Sequence, residues 1–189
     1  MSEKLLKYVT QAELEGLVEW VSQSPREVGR LEMIVARPGK GLRQVLTTGE
    51  LDPEQGLVGD NWRQRNSQAD SETQIALMNA RVAQAIARGR ERWPLAGDQL
   101  YLDLDLSVTN LRPGQRLLIG TAELEITPVP HTGCSHFTDH FGHSAIRWVN
   151  SARGRELRLR GVYARVVRPG LIHTGDTVQV LPGAVKDRL

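Results

Sequence analysis

The most chemically reactive part of the sequence is residues 131–143, which hold the only cysteine, Cys134, and four of the five histidines. The segment follows a predicted strand that ends at Pro128, and Ser135 is a candidate N-cap for a short helix. A cysteine directly before a helix start lies at the positive end of the helix dipole, and nearby imidazolium groups add to that field. We therefore expect the thiolate, which is both the nucleophilic and the metal-binding form, to be favoured at Cys134.

Three other interpretations of this segment remain open. Cys134 can be a small buried hydrophobic residue, a common environment for free cysteine. It can be a zinc ligand together with His136, His140 and His143, although Gly142 would interrupt a helix that carries three ligands. It can also be the nucleophile of a cysteine hydrolase in which one of the histidines is the base.

Arginine is concentrated in residues 153–168. The arginines of this segment are Arg153, Arg155, Arg158, Arg160, Arg165 and Arg168. Clustered guanidinium groups can hold an anionic ligand through bidentate hydrogen bonds. The same pattern is typical of a solvent-exposed strand face, so the sequence leaves both interpretations open.

The composition indicates one globular domain, with 189 residues, 40% hydrophobic residues and a formal net charge of +2. The single cysteine excludes an internal disulfide and suits a reducing compartment. No apolar stretch is long enough for a signal peptide or a membrane span, so we expect a cytoplasmic protein with no membrane partner. The basic segment contains one aromatic residue, Tyr163, so nucleic-acid binding is not expected either.

The periodicity of the chain predicts a mainly β protein with added helices. Thr10 and Glu13 form a capping box for a helix over 11–22, and a second helix is predicted over Thr73–Arg88. The predicted strands cover residues 31–36, 45–51, 100–106, 117–119, 122–126, 162–167 and 177–181. Short strands separated by glycine and proline indicate a closed or nearly closed β-barrel. We expect a single domain over 1–189, with an N-terminal helical extension at 1–30 and the barrel core at 31–182.

The apolar positions change from odd to even numbers between Leu159 and Val162. If one strand covers both residues, its register slips by one, and Gly161 is the residue that tolerates a β-bulge. The bulge would place Arg160 at the kink and Arg165 on the face away from the core. Because β-bulges often lie beside active sites, this pattern favours a site near these arginines.

Several motifs, taken in order, resemble the MOSC domain family, whose members are related to the C-terminal part of molybdenum cofactor sulfurases. The motifs are Gly56-Leu57-Val58-Gly59-Asp60-Asn61-Trp62, Gly97-Asp98-Gln99-Leu100, Asn110-Leu111-Arg112-Pro113-Gly114, Pro130-His131-Thr132-Gly133-Cys134 and Leu159-Arg160-Gly161-Val162-Tyr163-Ala164-Arg165-Val166. The resemblance covers roughly Gly56 to Val180, and the shared order is more specific than any one motif. We expect Asp60 and Asp98, which follow glycines, to form turns.

The resemblance implies a β-barrel of the pyruvate-kinase barrel type and a chemistry centred on Cys134. In the family, the corresponding cysteine carries sulfur as a persulfide or ligates the molybdenum of a bound pterin cofactor, molybdopterin. It therefore implies sulfur transfer or molybdenum-dependent redox catalysis, with Cys134 as the catalytic residue and a molybdenum ligand. The residues it implies for cofactor binding are Arg158, Arg160, Arg165, His131, His136 and Thr132.

The partners that the resemblance implies are molybdopterin or a sulfur-donor protein, and a redox partner. The chain lacks the pyridoxal-phosphate-dependent domain of the sulfurases, so we do not expect it to use pyridoxal phosphate. It also lacks the additional N-terminal barrel of amidoxime-reducing relatives, so their reaction is not expected. The alternative function is a non-catalytic binding or adaptor module in which Cys134 is unreactive.

Overall fold

The computed structural model describes residues 8–65 and 70–183, so residues 1–7 of the predicted N-terminal extension lie outside the described residues. The helices are α1 (Gln11–Gly16), α2 (Val18–Ser22), α3 (Trp62–Arg65), α4 (Ala80–Ala87), α5 (Ser135–Asn150) and α6 (Ala152–Glu156), with the 3-10 helices η1 (Ser71–Thr73) and η2 (Arg90–Ala96). The strands are β1 (Val28–Ala36), β2 (Gln44–Leu46), β3 (Thr48–Asp52), β4 (Gly56–Leu57), β5 (Ile75–Asn79), β6 (Leu100–Asp103), β7 (Arg116–Ile119), β8 (Ala122–Ile126), β9 (Val162–Arg168), β10 (Gly170–His173) and β11 (Thr177–Val180).

Seven strands of the described residues form a closed β-barrel, which confirms the predicted fold class. The order around the barrel is β1–β6–β5–β9–β8–β7–β11, and β11 pairs with β1 to close it. β5 and β6 are parallel, while the other neighbouring pairs are antiparallel. The strand predicted over 45–51 is divided: β2 extends the barrel sheet beside β1, whereas β3 joins β10 and β4 in a second sheet.

Alternating side chains fill the interior of the barrel. On β8, Ala122, Leu124 and Ile126 are buried, while Glu123 and Glu125 are partly exposed. Burying one large aliphatic side chain stabilises the folded state by about 1.5–3 kcal/mol, so one inward face on every strand provides most of the core. This two-residue period is the reason that the sequence predicts β8 with the bounds that the structure has.

The helix predicted over Thr73–Arg88 is wrong in its first half, because residues 75–79 form β5. α4 begins only at Ala80, after the side chain of Asn79 has accepted the Arg81 N–H at 2.8 Å as a helix cap. All five residues of β5 are buried, since one face lines the barrel and helices cover the other. A strand that is buried on both faces shows no two-residue period, so its apolar run is mistaken for the start of the helix.

The helices pack on the outer surface of the barrel around β5 and β6. α1, α4 and α5 contribute Leu14, Ile86 and Phe137 to a second apolar cluster.

The predicted capping box of α1 is present: the Glu13 N–H donates to the Thr10 hydroxyl at 3.3 Å, and the Thr10 N–H donates to the Glu13 carboxylate at 2.7 Å. No helix formed by the described residues has the length and apolar content needed to cross a bilayer.

The change of register predicted at Gly161 has a different cause from a β-bulge. α6 ends at Glu156 and residues 157–160 form a turn, so Leu159 precedes β9 instead of belonging to it. Gly161 has a φ of 104°, and a Cβ atom there would lie 2.1 Å from the carbonyl oxygen of Leu77 in β5. The left-handed backbone and the close approach of β5 both require glycine at this position.

We therefore expect Gly161→Ala to lower the free energy of unfolding by about 2–4 kcal/mol, because the strained φ and the clash with a backbone oxygen add together. Urea denaturation followed by circular dichroism measures the change. Gly16→Ala is the matched control, since no atom lies within 4 Å of its added Cβ. The control is expected to be neutral or to stabilise by about 0.5–1 kcal/mol. Equal stability of the two variants would contradict the role assigned to Gly161.

Candidate functional site

Cys134 is the N-cap residue of α5, and its side chain is exposed. Its backbone is extended (φ −122°, ψ −178°), and its carbonyl accepts the Thr138 N–H at 3.1 Å. Its sulfur makes no capping hydrogen bond, so the thiol is open to a reaction partner. The interpretation of Cys134 as a buried hydrophobic residue is therefore wrong, and the predicted helix start at Ser135 is confirmed.

The histidines of this segment do not form a metal site with Cys134. α5 is kinked at Gly142 (φ 83°, ψ 174°), which is the interruption that the sequence indicates. His136 and His143 are exposed, and His140 is partly buried. Within residues 8–65 and 70–183, no group of three or more His, Cys, Asp or Glu side chains is placed to hold a metal ion. The zinc interpretation therefore receives no support.

Asp98 and Arg160 form a buried ion pair beneath the 131–134 segment. One terminal guanidinium nitrogen of Arg160 lies 2.7 and 3.0 Å from the two carboxylate oxygens, and the other donates to the Ala96 carbonyl at 2.9 Å. The guanidinium also lies over the Phe137 ring, 5.1 Å from its centroid. Burial raises the pKa of the Asp98 carboxyl, and the Arg160 charge opposes that effect. The prediction that Asp98 serves as a turn residue is corrected by this pairing.

His131 packs against the same ion pair. Its ring lies 4.2 Å from the Tyr163 ring, and its Nδ1 is 3.6 Å from an Asp98 oxygen, too far for a hydrogen bond. Burial holds the pKa of His131 well below its ordinary value, and the charges of Arg160 and Arg37 lower it further. The imidazole is therefore neutral at pH 7.

A second ion pair joins Arg37 to Asp60. The Nε and a terminal nitrogen of Arg37 lie 2.8 and 2.9 Å from the two carboxylate oxygens, and the Arg37 backbone N–H also donates to this carboxylate at 2.8 Å. The other terminal nitrogen donates to the Gly97 carbonyl, directly before Asp98. Asp60 makes the predicted turn contact as well, because it accepts the Trp62 N–H at 2.9 Å. The two buried carboxylates therefore hold neighbouring arginines.

Arg43 and Arg65 lie close enough to Arg37 for their charges to interact. Burial lowers the pKa of both guanidinium groups, and the positive charge of Arg37 lowers each one further. Arg65 makes no side-chain hydrogen bond or ion pair with the part of the chain that the structure describes. We call Arg37, Arg43 and Arg65 the arginine group. Its mutual repulsion favours the binding of an anion.

Tyr163 connects the arginine group electrostatically with Cys134. Burial raises the pKa of its phenol, the charge of Asp98 raises it further, and Arg160 and Arg37 lower it. The charge of Cys134 also raises this pKa, so the sulfur lies within electrostatic range of the phenol.

Of the residues predicted for cofactor binding, four line one cleft and two do not. A cleft of about 200 Å³ is lined by His131, Thr132, Asn150, Arg155, Arg158 and Arg160, together with apolar residues and glycines, and we call it the Arg158 cleft. Cys134, His136 and Arg165 do not line this cleft. Arg165 on β9 instead pairs with Glu125 on β8. The structure thus separates the predicted cysteine from most of the predicted arginines.

The sequence does not predict Arg37, Arg43, Arg65 or Tyr163 as site residues. It indicates only a turn after Arg37, and the arginine group is drawn from three separate stretches of the chain. The one available signal is Asp60 in a motif of apolar residues and glycines, because a buried carboxylate requires a cationic partner. Nothing in the spacing identifies which arginine that partner is.

A family model described as the MOSC domain matches residues 71–179, which is more than half of the chain. The YuaD protein from Bacillus subtilis has a TM-score of 0.55 and 17% identity, covering 81% of this chain and 95% of its own. YiiM from Escherichia coli has a TM-score of 0.54 and 19% identity, covering 81% of this chain and 70% of its own. None of the curated proteins matches the sequence significantly.

The buried, neutral His131 makes stability depend on pH. Its pKa is depressed from 6.5 in the folded protein, so below pH 6.5 the unfolded chain binds a proton that the folded chain does not. The free energy of unfolding should therefore decrease as the pH is lowered below 6.5, by up to about 1.4 kcal/mol per pH unit. Urea denaturation of His131→Phe, which keeps a ring beside Tyr163, should show a smaller slope between roughly pH 5 and 6.5. His173→Phe, at an exposed histidine, is the control and should keep the slope of the native chain. If His131→Phe also kept the native slope, the assignment to His131 would be refuted.

Proposed function

The chain belongs to the MOSC domain family, and from that membership we propose that it is a molybdenum-cofactor-linked protein whose reactive group is the Cys134 thiol. In this proposal Cys134 either carries sulfur as a persulfide or ligates the molybdenum of a bound pterin cofactor. Both roles need an accessible, ionised sulfur, because a thiolate is the nucleophile of sulfur exchange and a soft ligand for a metal.

The observation that carries the proposal is the environment of the sulfur. Cys134 is exposed, stands at the N-cap of a helix and makes no side-chain capping bond. A thiol whose role is packing lies instead in the apolar core. The positive end of α5 is the kind of field in which thiolates are found at reactive sites.

The residues around Cys134 also fit an anionic pterin cofactor. Such a ligand has a phosphate at one end and presents a soft metal at the other, so it requires cationic groups and a thiolate within one site. The arginine group can supply the charge, and Arg65 has no competing partner among the described residues. When bound, the cofactor supplies a redox-active metal centre. Arg43 and Arg65 would hold its phosphate, and Cys134 would be the metal ligand. Arg37, whose three side-chain nitrogens already bond Asp60 and the Gly97 carbonyl, would contribute only its charge.

The persulfide alternative needs no other redox reagent. The Cys134 thiolate attacks the outer sulfur of a donor persulfide, a new S–S bond forms, and the donor's S–S bond breaks to release a donor thiolate. The proton on the transferred sulfur moves with it, so charge and atoms balance. A sulfur-donor protein is the partner that this step requires, whereas the molybdenum role requires a redox partner.

The remaining predicted residues have different tasks in this proposal. Arg160 uses both terminal nitrogens on Asp98 and Ala96, so it positions the 131–134 segment through His131 and Phe137. His136, which lies in the first turn of α5, is on the same helix end as the thiol. The Arg165 guanidinium is paired with a carboxylate, and we assign it no contact with the cofactor.

The proposal is tested by Cys134→Ser, purified alongside the native chain from a host that makes molybdenum cofactor. Intact-protein mass spectrometry and metal analysis are expected to find one additional sulfur atom or bound molybdenum on the native chain. The serine variant should carry neither, because serine forms no persulfide and is a poor ligand for a soft metal. Circular dichroism checks that both proteins are folded. Native protein with neither group, or a variant that keeps the molybdenum, would favour the inert adaptor module instead.

The role of the arginine group is tested by Arg65→Gln. If the group holds the phosphate, loss of one charge-assisted contact should lower cofactor retention about tenfold or more. Arg112→Gln, at an exposed arginine in the turn before β7, is the matched control and should retain the cofactor as the native chain does. Bound molybdenum per chain after gel filtration measures retention. Equal retention by both variants would remove the arginine group from the proposal.

A further inference from the structure

The Arg158 cleft is a second candidate binding site, and its location separates it from the thiol. The cleft lies between the 127–132 segment, the end of α5, α6 and the turn before β9. Cys134 and the arginine group do not line it. Its volume of about 200 Å³ is below the roughly 300–1,000 Å³ of pockets for drug-sized ligands, so any occupant is a small molecule or one group of a larger molecule.

The charge of the cleft has one sign. Arg155, Arg158 and Arg160 line it, and its lining contains no aspartate or glutamate. Asp98 neutralises the charge of Arg160 but does not line the cleft. The charges of Arg155 and Arg158 therefore have no acidic partner in the cleft lining. Asn150 adds a side-chain amide, whose oxygen accepts the Gly133 N–H at 3.2 Å.

Two buried side chains of the cleft each have a polar atom without a hydrogen-bond partner in residues 8–65 and 70–183. Arg160 is 6% exposed, and its Nε makes no hydrogen bond. The His131 side chain is also 6% exposed, and its Nδ1 makes none either. A buried polar atom without a partner costs about 1–3 kcal/mol, so folded proteins usually supply one from solvent or a ligand. Both residues line the cleft, so its wall carries polar groups beside the outer arginines.

The two outer arginines are anchored before any ligand binds. Arg158 donates to the Leu111 carbonyl at 2.6 Å, and Arg155 donates to the Asn150 carbonyl at 2.6 Å. Each guanidinium retains other N–H donors. Anchored guanidinium groups lose little side-chain entropy when they bind an anion, which raises affinity.

We propose that the Arg158 cleft binds a tetrahedral oxyanion of the phosphate or sulfate class, held by Arg155 and Arg158. This inference goes beyond the proposed function, because it requires neither Cys134 nor the molybdenum cofactor. The oxyanion is either free in solution or the terminal phosphate of a larger molecule, and the two share the same contacts.

The test is a titration of the cofactor-free protein with inorganic phosphate, followed by NMR of backbone and side-chain amides. The amides of Gly154 and Gly161 and the side-chain amide of Asn150 should shift with one common dissociation constant. Parallel titrations with sulfate and with glycerol phosphate distinguish the sources: tighter binding of the ester assigns the site to a larger phosphorylated ligand, and equal binding assigns it to the free ion.

Matched arginine variants decide whether the cleft is the site. Arg155→Gln and Arg158→Gln should each raise the phosphate dissociation constant about tenfold. Arg153→Gln is the control on the same helix, because Arg153 is 60% exposed, pairs with Glu156 and does not line the cleft. It should change the constant less than about twofold. Arg155 is exposed, so its variant remains informative if Arg158→Gln does not fold.

Each contrary result overturns the inference. Absence of amide shifts at saturating phosphate would show that the cleft has no oxyanion site. Equal weakening by the control would show attraction to surface charge only. Weakening by Arg65→Gln alone would move the site to the arginine group. Cys134→Ser should bind phosphate as the native chain does. Failure of the proposed function at Cys134 would therefore not affect this inference, and absence of phosphate binding in the cleft would not affect the proposed function.

Discussion

The buried pair of Asp98 and Arg160 is the contact on which the geometry of the site depends. It joins Asp98, two residues before β6, to the turn before β9, and the guanidinium lies over Phe137 in the first turn of α5. Burying two charges is costly unless the remaining hydrogen-bonding capacity is used. One terminal nitrogen of Arg160 bonds both carboxylate oxygens and the other bonds the Ala96 carbonyl, so both terminal nitrogens are used. The pair therefore holds three distant parts of the chain in one arrangement.

This arrangement gives opposite environments to two side chains that are three residues apart. His131 is turned inward, stacked on Tyr163 and kept neutral by burial. Cys134 is turned outward at the helix start and remains exposed. The segment between them separates the thiol from the Arg158 cleft, since His131 and Thr132 line the cleft and Cys134 does not. The proposed sulfur chemistry and the proposed anion binding therefore depend on different side chains.

Much of the fold follows from the sequence, and the errors have common physical causes. Period-two strands such as β8 are predicted correctly, because one face is buried and the other is exposed. β5 is mistaken for part of a helix because neither of its faces meets solvent. The turn at 157–160 is mistaken for part of a strand because its apolar positions happen to alternate. One local feature of the candidate site also follows from the sequence, since the helix start at Ser135 is predicted correctly.

By itself the sequence determined the closed β-barrel class, the family and the position of the one cysteine, because periodicity, motif order and residue type are properties of the chain. The tertiary structure decided which charges meet. Asp98 and Arg160 are 62 residues apart, and the arginine group comes from three separate stretches. Spacing along the chain carries no information about such pairs, since closure of the barrel brings them together. For the same reason only the fold showed that Arg158 and Arg160 line a cleft whose lining does not include Cys134.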